Sequence, residues 1–176
     1  IMQDVKNNPE YVPGHGLLKG KSVLITAAAG VGIGFAAAKK SVEEGCRAIV
    51  ISDIHEGRLQ ASVDKLKEET GLQSVWGKVC NVVNEDEVQA LINFAEEKLG
   101  GVDVLINNAG LGGSKRVVDM ADEEWNKVLD VTLTGTIAAD GSVGPIGGIV
   151  QKMYGAQDAG ATVFLSPRGN CDEVVG

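Results

Sequence analysis

Aromatic residues make up only 4% of the chain, and cysteine (three), proline (four) and histidine (two) are scarce as well. Cys46, Cys80 and Cys171 lie far apart without a CxxC pair, which argues against a disulfide framework or a zinc site and fits a reducing, cytoplasmic setting. His15 and His55 have no ligand-spaced neighbours, so no metal is expected. Basic charge is the next shortage. Sixteen Lys and Arg face 24 Asp and Glu, a net charge of −8, which leaves no basic surface broad enough for a polyphosphate backbone. No apolar run approaches the roughly 18 to 20 residues that a membrane span needs, and the N-terminus lacks a basic-then-apolar leader pattern. Neither nucleic acid nor membrane is expected as a partner.

What the chain does have is glycine: 24 among 176 residues, with 44% hydrophobic residues and 23% charged. That combination reads as one α/β domain with many tight turns. Residues 1–20 carry Asn7, Asn8, Pro9, Pro13 and Gly14 without an apolar period and are expected to form an extended arm. From residue 21 strand-like and helix-like patterns alternate. Ser22 to Thr26 is a β-branched run, followed by a glycine turn and an alanine-rich helix to about Glu44. Ala48 to Ser52 makes a second strand. Leu59, Val63 and Leu66 stripe the next helix, and Gly71 closes it. Ser74 to Val79 is a third strand, and Val88, Leu91, Ile92, Ala95 and Leu99 share one helix face. Val102 to Ile106 reads as a strand buried on both faces. Asp122 is the expected cap of a helix through Trp125, Val128 and Leu129, with Trp125 as a packing anchor. The pattern predicts a Rossmann-like, doubly wound parallel sheet of five strands in three αβα layers.

The turn Gly30-Val31-Gly32-Ile33-Gly34 directly follows a strand and opens a helix. Glycines there let a phosphate approach the backbone, and the helix start offers it free amides and a partial positive charge. Asp53 lies about twenty residues further on, at the end of the second strand, where a carboxylate can accept both ribose hydroxyls of an adenosine. Such a bond contributes about 1.5–3 kcal/mol, and the same charge repels a 2′-phosphate, so the expected cofactor is NAD. Arg58 is close enough in sequence to meet a phosphate, but its expected place is the exposed face of the second helix.

From about Leu17 to Thr136 the chain resembles a short-chain dehydrogenase/reductase of the extended bacterial type. The resemblance is carried by the glycine turn, Asp53, Asn81-Val82, the run Asn107-Asn108-Ala109-Gly110, and Trp125 to Thr134. It implies a cofactor site of Gly30, Gly32, Ile33, Gly34, Asp53, Asn81, Val82, Asn107, Ala109 and Gly110. Four residues depart from the family pattern. Asn81 replaces the usual Asp, Ala27 and Ala28 stand where the first glycine falls, and Thr132 stands for an asparagine of the proton relay. The family's catalytic Tyr with a Lys four residues on is absent, because the only tyrosines are Tyr11 and Tyr154 and the latter is followed by Asp158. No catalytic residue is therefore assigned.

From about residue 134 the chain resembles the C-terminal part of a Lon-type peptidase domain of the PDZ-containing actinobacterial kind. Thr134-Gly135-Thr136-Ile137, Asp140-Gly141, the run from Val143 to Gly148, Lys152 and Gly160 to Pro167 carry that resemblance. It implies that Lys152 once paired with a serine that these 176 residues do not hold. On this reading residues 21–134 form the nucleotide-binding part, and residues 135–176 add a hairpin, a helix and a fifth strand at Thr162 to Leu165. Three functions stay open: an NAD-binding module without its active site, possible as a homo-oligomer; a peptidase fragment using Lys152; and a recombined or engineered chimera with no ligand.

Overall fold

A computed structural model describes residues 10–112 and 115–134. The sheet is built from β1 (Ser22–Ile25), β2 (Ala48–Asp53), β3 (Val75–Val79) and β4 (Val104–Ile106). They run parallel in the order β3-β2-β1-β4. The helices α1 (Ile33–Glu43), α2 (Glu56–Thr70) and α3 (Glu85–Leu99) are the crossovers, and α4 (Asp122–Leu129) follows a short 3-10 turn. This is the expected Rossmann-like, doubly wound arrangement, with four strands among the described residues. The predicted strand at Thr162 to Leu165, and the hairpin and helix before it, lie outside them.

Alternation along the central strands sets the layers. Val23, Ile25, Ile49, Ile51 and Val75 turn to one face and pack with Phe35 and Ala38 of α1 and Leu59, Val63 and Leu66 of α2. Leu24, Ala48 and Val50 turn to the other and meet Val88, Leu91, Ile92, Ala95 and Leu99 of α3. Burial of each Leu, Ile or Val contributes about 1.5–3 kcal/mol, so β1 and β2, buried at every position, dominate the core. Gly71 (φ 76°) closes α2 in the left-handed conformation, as the sequence predicts, and Gly100 (φ 70°) closes α3 in the same way.

Three local expectations are corrected. The fourth strand begins at Val104 rather than Val102 and is half-buried, since among the described residues β4 pairs only with β1. Its approach is fixed instead by Asp103, whose carboxylate accepts from Ser22 N–H (2.8 Å) and Ser22 Oγ (2.9 Å). The cap of α4 is Ala121, not Asp122; Glu124 reaches back to accept from Ala121 N–H (3.2 Å), so the acidic side chain acts from inside the first turn. Trp125, the expected packing anchor, is 42% exposed, on a helix that has no buried side chain among the described residues.

The described part of the N-terminal arm, residues 10–20, has neither helix nor strand but is docked on the end of α1. Glu44, buried despite its charge, accepts from His15 and Leu17 N–H (both 3.0 Å). Glu43 accepts from Gly14 N–H (2.6 Å) and from the Tyr11 hydroxyl. These bonds hold both carboxyls below the usual glutamate range, Glu43 chiefly through Tyr11 and Glu44 chiefly through Leu17.

Candidate functional site

In a parallel sheet the loops that leave the strands' C-terminal ends gather on one edge. A crevice opens where the strand order reverses. Here the reversal falls between β1 and β4, and a cleft of about 700 Å³ lies over that edge. Each strand contributes to its lining: Ala27 after β1, Asp53 at the tip of β2, Asn81 and Val82 after β3, Ala109 and Gly110 after β4. Asn126, Lys127 and Val131 of α4 and its extension form the far wall.

Five of the ten predicted site residues thus line one cleft: Asp53, Asn81, Val82, Ala109 and Gly110. Gly30, Gly32, Ile33 and Gly34 lie beside it, in the turn that enters α1. The α1 start carries no side-chain cap and no acidic residue in its first turn. By contrast α3 is capped by Asn84, which accepts from Asp86 and Glu87 N–H, and bears three acids. Ile33 is 83% exposed, so what it offers is its backbone. Gly34 is a matter of space: a Cβ there would lie 2.5 Å from Asn108 Nδ2 and 2.8 Å from Ala27 O.

Asn107 is not among the residues lining the cleft, and Asn108 beside it holds the turn after β1. Asn108 Nδ2 donates to the carbonyls of Thr26 (3.1 Å) and Ala27 (2.9 Å), and Thr26 Oγ1 accepts from Asn108 and Ala109 N–H. This double lock ties the ends of β1 and β4 together and holds Ala27 at φ 51°, a left-handed angle that favours glycine.

The turn is also tied to β2 and α2, a connection that sequence reading missed. Ala28 N–H donates to Ser52 O (2.8 Å), Ala29 N–H to Asp53 Oδ2 (3.2 Å) and Gly30 N–H to Ser62 Oγ (2.8 Å). Ser62 falls on the buried stripe of α2 beside Leu59, Val63 and Leu66, and that placement was the only available signal. Asp53 is 6% exposed; its other oxygen accepts from His55 N–H (3.0 Å) and meets Arg58 at 3.5 Å. Arg58 therefore lines the cleft instead of keeping to the outer face of α2, because one turn of helix brings its guanidinium back over the strand tip.

The turn after β3 is tied down by hydrogen bonds. Asn81 N–H donates to Glu87 Oε2 (2.8 Å), and Asn81 Oδ1 accepts from Val83 N–H (3.3 Å). Cys80, also in the lining, is buried, and burial followed by the charge of Glu87 pushes its thiol up to about 11. It is a neutral wall atom at physiological pH. On the other side Leu111 is clasped by Thr132, which accepts from Leu111 N–H (3.0 Å) and donates to Leu111 O (3.3 Å). The position read from sequence as a lost relay asparagine thus still grips the backbone after β4. Lys152 lies outside the described residues.

Comparison with known proteins places this arrangement. Residues 21–166 match the family model described as short chain dehydrogenase. A reductase of Mycobacterium tuberculosis, named for (5R,7aS)-5-hydroxy-7a-methyl-1-oxo-2,3,5,6,7,7a-hexahydro-1H-indene-carboxyl-CoA, is 49% identical over 131 residues, which is 74% of this chain and 49% of the relative. A short chain dehydrogenase from Mycobacterium smegmatis shares 53% identity at TM-score 0.69, over 73% of this chain and 53% of that one. A short chain dehydrogenase/reductase from Burkholderia phymatum in complex with NAD shares 36% identity at TM-score 0.61, over 67% and 41%. The chain spans about half the length of the curated relatives it matches. The family match continues past Thr134, and none of these relatives is a peptidase, so the expected peptidase-derived ending finds no support here.

Proposed function

The chain belongs to the short-chain dehydrogenase family, an oxidoreductase family that uses NAD(P), and from that premise we propose that the cleft holds a nicotinamide dinucleotide, NAD in preference to NADP. The observation that carries the reading is Asp53: a buried carboxylate at the tip of β2, opening on the cleft at the sheet's switch point. In this reading its oxygens accept the adenosine ribose hydroxyls. Val82 and Ala109 flank the adenine, and Asn81 offers its amide without a charge. The α1 start turns the amides of Gly32, Ile33 and Gly34 toward the pyrophosphate. Gly30 shapes the turn at φ 92°, with its own amide committed to Ser62.

When bound, the dinucleotide supplies hydride transfer. The chain's own residues bind and orient it. Within these 176 residues no tyrosine has a lysine four positions on, so we propose that they do not turn a carbonyl substrate over unaided. Loss of positioned proton transfer alone costs roughly 10²–10⁴ in rate.

Titration of NADH, followed by its fluorescence, tests the binding. Saturable enhancement is expected, and Asp53→Ala should raise the dissociation constant about tenfold, equivalent to about 1.4 kcal/mol. An unchanged constant in that variant would remove Asp53 from the site.

A further inference from the structure

The buried residues of α2 are Leu59, Ser62, Val63 and Leu66, a single hydroxyl among three apolar side chains. A polar group in such a stripe costs free energy unless its bonds are made. Ser62 makes two: its Oγ donates to Arg58 O one turn back (2.8 Å) and accepts from Gly30 N–H (2.8 Å). The first bond uses the hydroxyl proton and so turns a lone pair toward Gly30. What Ser62 holds has little packing to hold it. Gly30 lies at φ 92°, and a Cβ at Gly30 or at Gly32 would meet nothing within 4 Å, so the turn stands clear of the core. Val31 between them is 90% exposed. Three consecutive amides, those of Ala28, Ala29 and Gly30, are tied to β2 and α2, and the Gly30 tie is the one nearest in sequence to the uncapped start of α1.

We propose that Ser62 is a positioning residue, one that acts through Gly30 to hold the entrance of α1 in the conformation that receives a pyrophosphate. This rests on the dinucleotide reading above. The adenosine end of the cleft is kept in place by other bonds: Ala29 and His55 N–H donate to Asp53, and Asn81 N–H donates to Glu87. Ser62 takes part in none of them. Without its hydroxyl, residues 30–32 gain a backbone freedom that two glycines make large, and a ligand must then order them as it binds. That cost falls on ligands that carry a phosphate chain and spares one that stops at the ribose.

Dissociation constants for NADH, ADP and adenosine, the last two by displacement of NADH, are compared on the full chain in the parent, Ser62→Ala and Ser62→Cys. The cysteine keeps the size of the side chain but is a weak acceptor. In both variants the NADH and ADP constants should rise about fivefold, within the range that one hydrogen bond spans, while the adenosine constant changes less than about twofold. A merely structural role would move all three constants together or none of them, and either result overturns the proposal. Amide exchange reads the same bond without ligand: Gly30 N–H should be protected in the parent and exchange faster in both variants, with β1 unchanged. A Gly30 amide that exchanges at one rate in all three proteins also overturns it. Parent protein that binds NADH while both variants bind it equally well sinks this inference alone. Parent protein that binds no NADH sinks the dinucleotide reading with it.

Discussion

Gly34 and Asn108 meet where two strands release their loops, and the contact leaves no room for a methyl group. A Cβ on residue 34 would sit 2.5 Å from Asn108 Nδ2, 2.8 Å from Ala27 O and 2.9 Å from Ala28 Cα. Two of those three atoms are backbone, so side-chain rotation cannot relieve the clash. Gly34→Ala is expected to destabilise the fold by about 1–3 kcal/mol, the usual range for overpacking, read as a lower urea midpoint with unchanged slope. The glycine itself was legible, since its spacing after a strand marked it for closeness. The partner was not. The resemblance implied Asn107 for the site and quoted Asn108 only as part of its run, and the side chain that grips the turn is that of Asn108. No local signal tells which of two adjacent asparagines reaches across to the end of β1, because that contact spans 82 residues of sequence.

Elements were more readable than contacts, because apolar periodicity is imposed by burial and burial here is strong. The stripes of α2 and α3 and the runs of β1 and β2 all stand where the pattern put them. Edges fared worse: β4 starts two residues late, and the reason is electrostatic. Asp103 is diverted to the start of β1, where Ser22 N–H, Ser22 Oγ and then Lys21 hold its carboxyl at about 2, against an ordinary value of 3.8. A carboxylate lowered by folding stabilises the native state above its unfolded value, and that contribution disappears as pH falls through the folded value. Acid titration of stability should therefore steepen between roughly pH 4 and pH 2. In Asp103→Asn this limb should flatten while the neutral-pH melting temperature drops. A limb of equal slope in both proteins would show that the Ser22–Asp103 junction does not couple β1 to β4 in solution.

At the scale of the molecule, cohesion is uneven. The sheet's central pair is sealed between α1 and α2 on one face and α3 on the other, with Leu24, Ile25, Val50 and Ile51 fully buried. By contrast α4 has no buried residue among those described, and its three leading acids face solvent. Native-state hydrogen exchange should resolve that gradient: amides of β1 and β2 should exchange only with global unfolding, and those of α4 fastest among the four helices. Protection in α4 equal to that in α3 would overturn this gradient. The docked arm lies at the opposite end of the sheet from the cleft, since Leu18 and Gly20 N–H donate to Glu44 O and Gly45 O just before β2 begins. Lys19, exposed on that segment, accordingly marks an attachment point remote from the proposed ligand's entrance. A dye or surface linker placed there would leave the mouth unobstructed, so a tethered molecule should titrate like one free in solution.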